Sequence, residues 1–262
     1  MWTKKWIRLF LLGVSALFSE EFLQNQSLID YPTAGLLPAA SYEISITAFP
    51  AGGLLSGIKV GITERFLIGL SYSSLNVVGE SSITKNHYAS SPGIQVKYRL
   101  LEETYRYPAL ALGIDSQGRG GYFRQLSRYQ FKAKGFYLTL SKNYLLLGSP
   151  LGLHGGGNYN PWEDVKAKRT PTFFCGLDKS LNDEIFLMAE YDLAWDEEPQ
   201  SRFSNGYLNA GIHWIFTPNL ILGFHFKDIL KNNSLNFPEG SLSQLGNRGM
   251  SREILVAYFE RF

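Results

Sequence analysis

From Ser41 onward the chain is built of short segments in which apolar and polar residues alternate, and this period of two is its strongest constraint. Twelve such segments can be marked, roughly at 41–49, 53–62, 66–74, 92–101, 107–115, 131–142, 145–158, 171–180, 184–195, 206–216, 220–227 and 252–262. Alternation puts one parity on each face of a strand. Most segments are about nine to eleven residues long, the length at which a tilted strand crosses the hydrocarbon layer. Helical periodicity is scarce, and beyond residue 19 no apolar run is long enough for a membrane helix.

The connections alternate as well. Short ones fall at Thr63–Arg65, Glu102–Tyr105, Asn143–Tyr144, Leu181–Asp183 and Thr217–Asn219, and long ones at 75–91, 116–130, 159–170, 196–205 and 228–251. Tight turns on one side and long loops on the other are the pattern of an outer-membrane barrel, with the turns in the periplasm. The tight Pro50–Gly53 connection is an exception, since it lies where an outer loop is due.

Parity divides the segments cleanly. Ile94, Val96, Tyr98 and Leu100 oppose Gln95, Lys97 and Arg99, while Leu222, Phe224 and Phe226 oppose Gly223, His225 and Lys227. In lipid the apolar parity faces outward and the charges line the lumen, because a charge in hydrocarbon is costly. Tyr72, Tyr98, Tyr191, Trp195 and Trp214 stand near segment ends, as interfacial aromatics do. The expected fold is all-β: a single transmembrane antiparallel up-and-down β-barrel of about twelve strands over residues 41–262. The last segment ends on Phe262, expected to be the signal read by the barrel-assembly machinery, with Glu260 at the periplasmic rim.

Residues 1–19 read as a secretory signal peptide. Lys4, Lys5 and Arg8 precede an apolar stretch from Leu9 to Phe18, with small residues at Ser15, Ala16 and Ser19. Residues 20–40 then form a periplasmic segment ahead of the barrel, and the mature chain resides in the outer membrane. Loss of the three leader cations takes the formal net charge from +2 to −1, which argues against a nucleic-acid partner. A lone Cys175 excludes an intrachain disulfide and any multi-cysteine metal site. No cofactor or metal is expected.

A family resemblance rests on three stretches. Tyr31–Pro38 (YPTAGLLP) resembles the P-[ST]-A-x-x-L-P motif of YjbH-like outer-membrane proteins. Tyr107–Gly120 is similar to that family's PALALGxxDxxGTG segment, followed as there by a strand ending in a Ser-Lys pair, Phe136–Tyr144. The Gly-rich Leu151–Asn158 fits next. The resemblance implies a barrel linked to exopolysaccharide production or export. It implies no catalytic residues, and no enzyme activity is expected.

Candidate site residues follow from parity. Lys59, Lys97, Arg99 and Lys227 should share the lumen with Glu43, Asp115, Asp178, Glu190 and Asp192, joined by His154, His213 and His225. Mixed signs in similar number favour mutual neutralisation and a largely filled lumen over a conducting pore. His213 and His225 lie on neighbouring segments, but no motif places a serine beside any histidine, as an outer-membrane phospholipase requires. Between the fifth and sixth segments, Arg119, Tyr122, Arg124 and Arg128, continued by Lys132 and Lys134, suggest a basic-aromatic outer loop for glycan or lipopolysaccharide phosphate. The Gly155–Gly157 run sits in a strand and is read as permitting curvature. The principal reading is a passive barrel in surface polysaccharide secretion or envelope structure. Its partners would be outer-membrane lipid, lipopolysaccharide and polysaccharide or export proteins. A small-solute channel, a membrane-embedded hydrolase and a docking barrel are the alternatives.

Overall fold

The structure is a computed structural model that describes residues 24–79, 92–123, 127–163, 170–197, 206–232 and 250–262. The expected leader, 1–19, lies outside the described residues, as does Arg124. The strands are β1 (Ser41–Phe49), β2 (Gly53–Thr63), β3 (Phe66–Ser74), β4 (Gly93–Leu101), β5 (Ala109–Asp115), β6 (Arg119–Phe123) and β7 (Arg128–Phe131). They continue as β8 (Gly135–Leu146), β9 (Ser149–Tyr159), β10 (Thr172–Ser180), β11 (Ile185–Asp192), β12 (Tyr207–Thr217), β13 (Leu220–Lys227) and β14 (Ser251–Arg261). All but β6 and β7 form one closed antiparallel barrel, β14 pairing back to β1 from Ser41↔Arg261 to Ala48↔Ile254.

The barrel has the twelve strands that alternation predicts, and its closure removes the open sheet edges that lipid would not tolerate. Outward positions carry the apolar parity: Ile44, Leu70, Ile94, Leu138, Phe173, Phe224 and Ile254 are all exposed on the outer wall. Cys175 is exposed on that wall too. Aromatic pairs mark both rims. Phe173–Trp195 and Phe136–Trp162 stand at the loop end, and Tyr42–Phe262 and Trp214–Phe216 at the turn end. Glu260 sits at the turn-end rim, where the Tyr42 and Tyr258 hydroxyls donate to its carboxylate at 3.2 and 2.5 Å.

Three local readings change. The turn expected at Asn143–Tyr144 falls instead at Leu147–Gly148, both at positive φ (55° and 78°), so β8 runs on to pair Leu146 with Ser149. The outer loop expected at 116–130 instead carries a two-stranded hairpin (β6–β7) separate from the barrel wall, and the second hairpin strand takes in Phe131, expected to begin the sixth segment. The Gly run on β9 serves a packing need besides curvature. A Cβ at Gly156 would come within 2.6 Å of the Phe174 ring, which stacks on Tyr31 at a centroid distance of 4.4 Å. The tight β1–β2 turn survives at the loop end because Ala51 and Gly52 adopt positive φ, and Gly52 then accepts from Val77 and Val78.

Candidate functional site

Residues 24–38 do not stay outside the barrel, as their position ahead of β1 suggested. They rise into the lumen from the turn end, reverse at Leu28–Tyr31 and return to start β1. The reversal is closed by Leu28 N–H donating to Tyr31 O (2.9 Å) and Thr33 N–H to Gln26 O (3.1 Å). Leu28, Ile29, Tyr31, Ala34, Leu36 and Leu37 are all buried, although none belongs to a strand. This hairpin plugs the barrel. Where it passes β2, Gly61 is required, because a Cβ there would lie 2.1 Å from Pro38 O.

The inward charges of the wall hold the plug. Glu190, 1 % exposed, accepts the backbone N–H groups of Ile29 (3.0 Å), Asp30 (3.0 Å) and Tyr31 (3.1 Å), and also Asn209 Nδ2 at 2.7 Å. Three convergent N–H groups at a tight reversal make a nest for a carboxylate. Lys97, also 1 % exposed, donates to the carbonyls of Gln26, Thr33 and Gly35 at 2.6, 3.1 and 3.1 Å. Arg99 Nε donates to Ala34 O at 3.0 Å, and Tyr31 donates its hydroxyl to Asp192. At the tip, Asp30 pairs with Lys227 at 2.8 Å, and Lys227 also lies 3.4 Å from Glu253. Backbone groups pulled out of a ladder need partners inside the protein, and buried charges need counter-charges or several hydrogen bonds. Wall and plug satisfy most of each other's buried groups, Gln26 Oε1 being a plug atom that has no hydrogen-bond partner among the described residues.

The remaining inward residues pair among themselves or face the space left over. Lys59 meets Glu43 at 2.9 Å, and Asp115 accepts from Gln117 N–H at 2.9 Å. The Nε2 atoms of His213 and His225 stand 2.9 Å apart, across the β12–β13 pair. These groups border a cavity of about 120 Å³ between the plug and the wall, room for a few waters. A second cavity of about 600 Å³ opens at the turn end, bordered by Arg99, Ser141, Asn143, His154 and Asp178. There the structure departs from the sequence reading: Ser141 Oγ lies 2.8 Å from His154 Nδ1. The pairing has no local motif because the two residues meet across strands β8 and β9.

The expected basic-aromatic outer loop is folded inward. Arg128 is 1 % exposed and forms a two-pronged pair with Glu197, at 2.6 and 2.9 Å. Lys132 faces Asp196 at 3.6 Å, Arg119 faces Asp30 at 3.5 Å, and Lys134 sits 3.4 Å over the Tyr31 ring. Tyr122 packs edge-on against Tyr129, and Phe131 against Tyr207. Arg119, Arg128, Lys132 and Lys134 therefore close the loop end over the plug instead of forming an exposed glycan-contact rim; Arg124 lies outside the described residues. Burial would raise the Glu197 carboxyl, but the Arg128 guanidinium outweighs it and holds it low.

Glu163 completes this lid by accepting from Tyr129 N–H (3.2 Å) and Ala133 N–H (3.0 Å). Burial pushes its carboxyl up from 4.5 to about 7, against the opposing pull of those two donors. A raised carboxyl stabilises the fold fully below the unfolded value near 4.5 and loses that contribution as pH rises through about 7. The melting temperature in detergent is expected to fall from about pH 5 to about pH 8, on the order of 1 kcal/mol of stability per unit within that window. Glu163→Gln is expected to flatten this slope, and an identical slope in the variant would refute the assignment.

Asp30, Tyr31, Glu197 and Ser141 were missed as site residues by sequence reasoning, and Glu163 is legible only as one of two loop carboxylates. Tyr31 carried a signal as part of the motif Tyr31–Pro38, and Ser141 as part of the Ser-Lys pair that ends Phe136–Tyr144. A profile of the YjbH family, described as an exopolysaccharide biosynthesis protein, matches residues 21–228, which include both the plug and eleven barrel strands. The chain belongs to the YjbH exopolysaccharide biosynthesis family. A protein of Aquifex aeolicus (strain VF5), described as uncharacterized, is 29% identical to this YjbH-family chain over 153 residues, or 56% of the chain and 44% of that protein. The chain thus spans less than half of the length of that relative. Among solved structures, a KdgM porin is similar at TM-score 0.46 and 8% identity, covering 83% of this chain and 98% of that one. A NanC porin is similar at TM-score 0.44 and 8% identity, covering 84% and 99%. The YjbH-family chain is an outer-membrane β-barrel, a conclusion that rests on its own closed sheet and apolar outer wall.

Proposed function

We propose that this YjbH-family barrel serves surface polysaccharide production or export as a passive outer-membrane component, its lumen held shut by its own N-terminal hairpin. In this reading residues 1–19 direct export and are removed, and Phe262 is read by the barrel-assembly machinery. Polysaccharide or export proteins are its partners, with membrane lipid and lipopolysaccharide around the wall. The observation that carries the reading is the plug itself, whose Tyr31–Pro38 stretch lies within the family match and inside the lumen. A barrel filled by one short hairpin held through hydrogen bonds and ion pairs can be emptied without unfolding its wall.

The test is made in the host. Cells lacking the chain are expected to release less exopolysaccharide and to recover when the chain is restored. Unchanged polysaccharide with the barrel absent would remove the reading. The small-solute channel is compatible with this structure only after the plug leaves.

A further inference from the structure

Three side chains at the turn end have a geometry beyond what seating the plug requires, since the plug uses only Ser141 of the three, through Ala34 N–H. Ser141 on β8 and His154 on β9 are direct register partners, and Asp178 on β10 lies one step along, opposite Gly152. All three point into the lumen. Ser141 Oγ is 2.8 Å from His154 Nδ1, and His154 Nε2 is 2.5 Å from Asp178 Oδ1. A proton on Nε2, donated to Asp178, leaves the Nδ1 lone pair directed at the serine hydroxyl. That is the relation of nucleophile, base and orienting carboxylate.

The surroundings keep this arrangement in place. A Cβ at Gly152 would stand 2.4 Å from Asp178 Oδ1 and 2.7 Å from His154 Nε2, so glycine leaves the room in which the two meet. Ala34 N–H, which belongs to the plug and not to the sheet, donates to Ser141 Oγ at 2.8 Å and fixes that oxygen so that its own hydrogen is directed at His154. The cavity of about 600 Å³ that the three residues border has the size of a small-ligand site and opens where Glu102, Glu103 and Asn143 form the rim.

We propose that Ser141, His154 and Asp178 form a hydrolytic site for small acyl esters that enter from the turn end. Ser141 Oγ attacks the ester carbonyl carbon and passes its proton to His154 Nδ1. The acyl C–O bond breaks, and the departing alkoxide takes the proton back from His154. Water, deprotonated by His154, then attacks the acyl-serine, releasing the carboxylic acid and restoring the Ser141 hydroxyl. Asp178 is a positioning residue, acting through the imidazole. The inference stands independently of the polysaccharide reading, since it uses only the geometry of the three side chains and their cavity.

The experiment uses the full chain folded in detergent, with heat-modifiable gel mobility confirming the barrel in each variant. A fluorophosphonate probe is expected to label Ser141, located by peptide mass spectrometry, and p-nitrophenyl acetate to be turned over. Ser141→Ala and His154→Ala are expected to abolish labelling and to lower ester turnover by about 10²–10⁴-fold while the barrel stays folded. Asp178→Asn is expected to lower kcat and leave KM in place, which loss of a merely structural contact would not produce selectively. Folded wild-type protein that takes no label at Ser141, or label that persists in His154→Ala, would overturn the proposal.

Discussion

Removing residues 24–37, which also takes from the loop-end lid the Asp30 and Tyr31 partners of Arg119 and Lys134, is expected to turn an electrically silent barrel into a conducting one. In planar bilayers the intact protein should give no steps, because the hairpin and its hydrogen bonds occupy the lumen from the turn end to the Glu190 nest. The wall does not depend on the plug for closure, since each barrel strand is paired on both sides. Heat-modifiable mobility should therefore persist while conductance appears. A point change tests the same seat more gently. Glu190→Ala leaves the N–H groups of Ile29, Asp30 and Tyr31 without their shared acceptor. A buried polar group left unsatisfied costs roughly 1–3 kcal/mol. About 3 kcal/mol in total raises the population with the plug displaced by roughly a hundredfold. Brief openings in Glu190→Ala and long ones in the deletion are the expected pattern. Silence in both would show that other groups seal the lumen.

Arg128→Ala is expected to undo the loop-end lid while sparing the barrel wall. The guanidinium and the Glu197 carboxylate are buried and doubly bonded, and removal of the cation leaves that buried carboxylate, among the described residues, only the looser contacts with Lys132 (4.0 Å) and the Tyr207 hydroxyl (3.4 Å). Breaking a buried pair from one side costs about 3–5 kcal/mol, more than a short two-stranded hairpin recovers from its own pairing. Limited proteolysis of the folded variant should cut within residues 116–134 at a rate at least about a hundredfold above wild type, with the wall intact. Substituting both partners, Arg128→Met with Glu197→Leu, should restore most of the protection, because no unpaired charge then remains. Equal protection of the single variant and wild type would show that Phe131, Tyr207 and Glu163 hold the hairpin without the pair.

Much of the wall was legible from local pattern. Which face of β4 or β13 meets lipid follows from alternation alone, and Lys97 and Lys227 on the inward side required only parity and the cost of charge in hydrocarbon. Turn spacing was less secure. The β8–β9 turn slipped from Asn143–Tyr144 to Leu147–Gly148 because both stretches are compatible with a strand end and only the pairing of Leu146 with Ser149 chooses between them. The partners of inward charges were not legible at all. Lys97 bonds to carbonyls at Gln26, Thr33 and Gly35, and a carbonyl leaves no mark in a sequence.

The same division holds for the basic loop. Arg128 and Lys132 read as exposed because loops usually are, yet Glu197 and Asp196 lie on a different loop and meet them only once the barrel has closed. Ser141, His154 and Asp178 converge for the same reason, from three strands whose register the barrel sets. The amino-acid order alone determined the strand number, the lipid-facing wall and the signs of the lumen charges, because each depends on neighbours a few residues apart. Closure of the sheet decided that residues 24–38 fill the lumen, that the cations lock a lid, and that a serine faces a histidine. Those contacts join residues far apart in the chain, so they exist only in three dimensions.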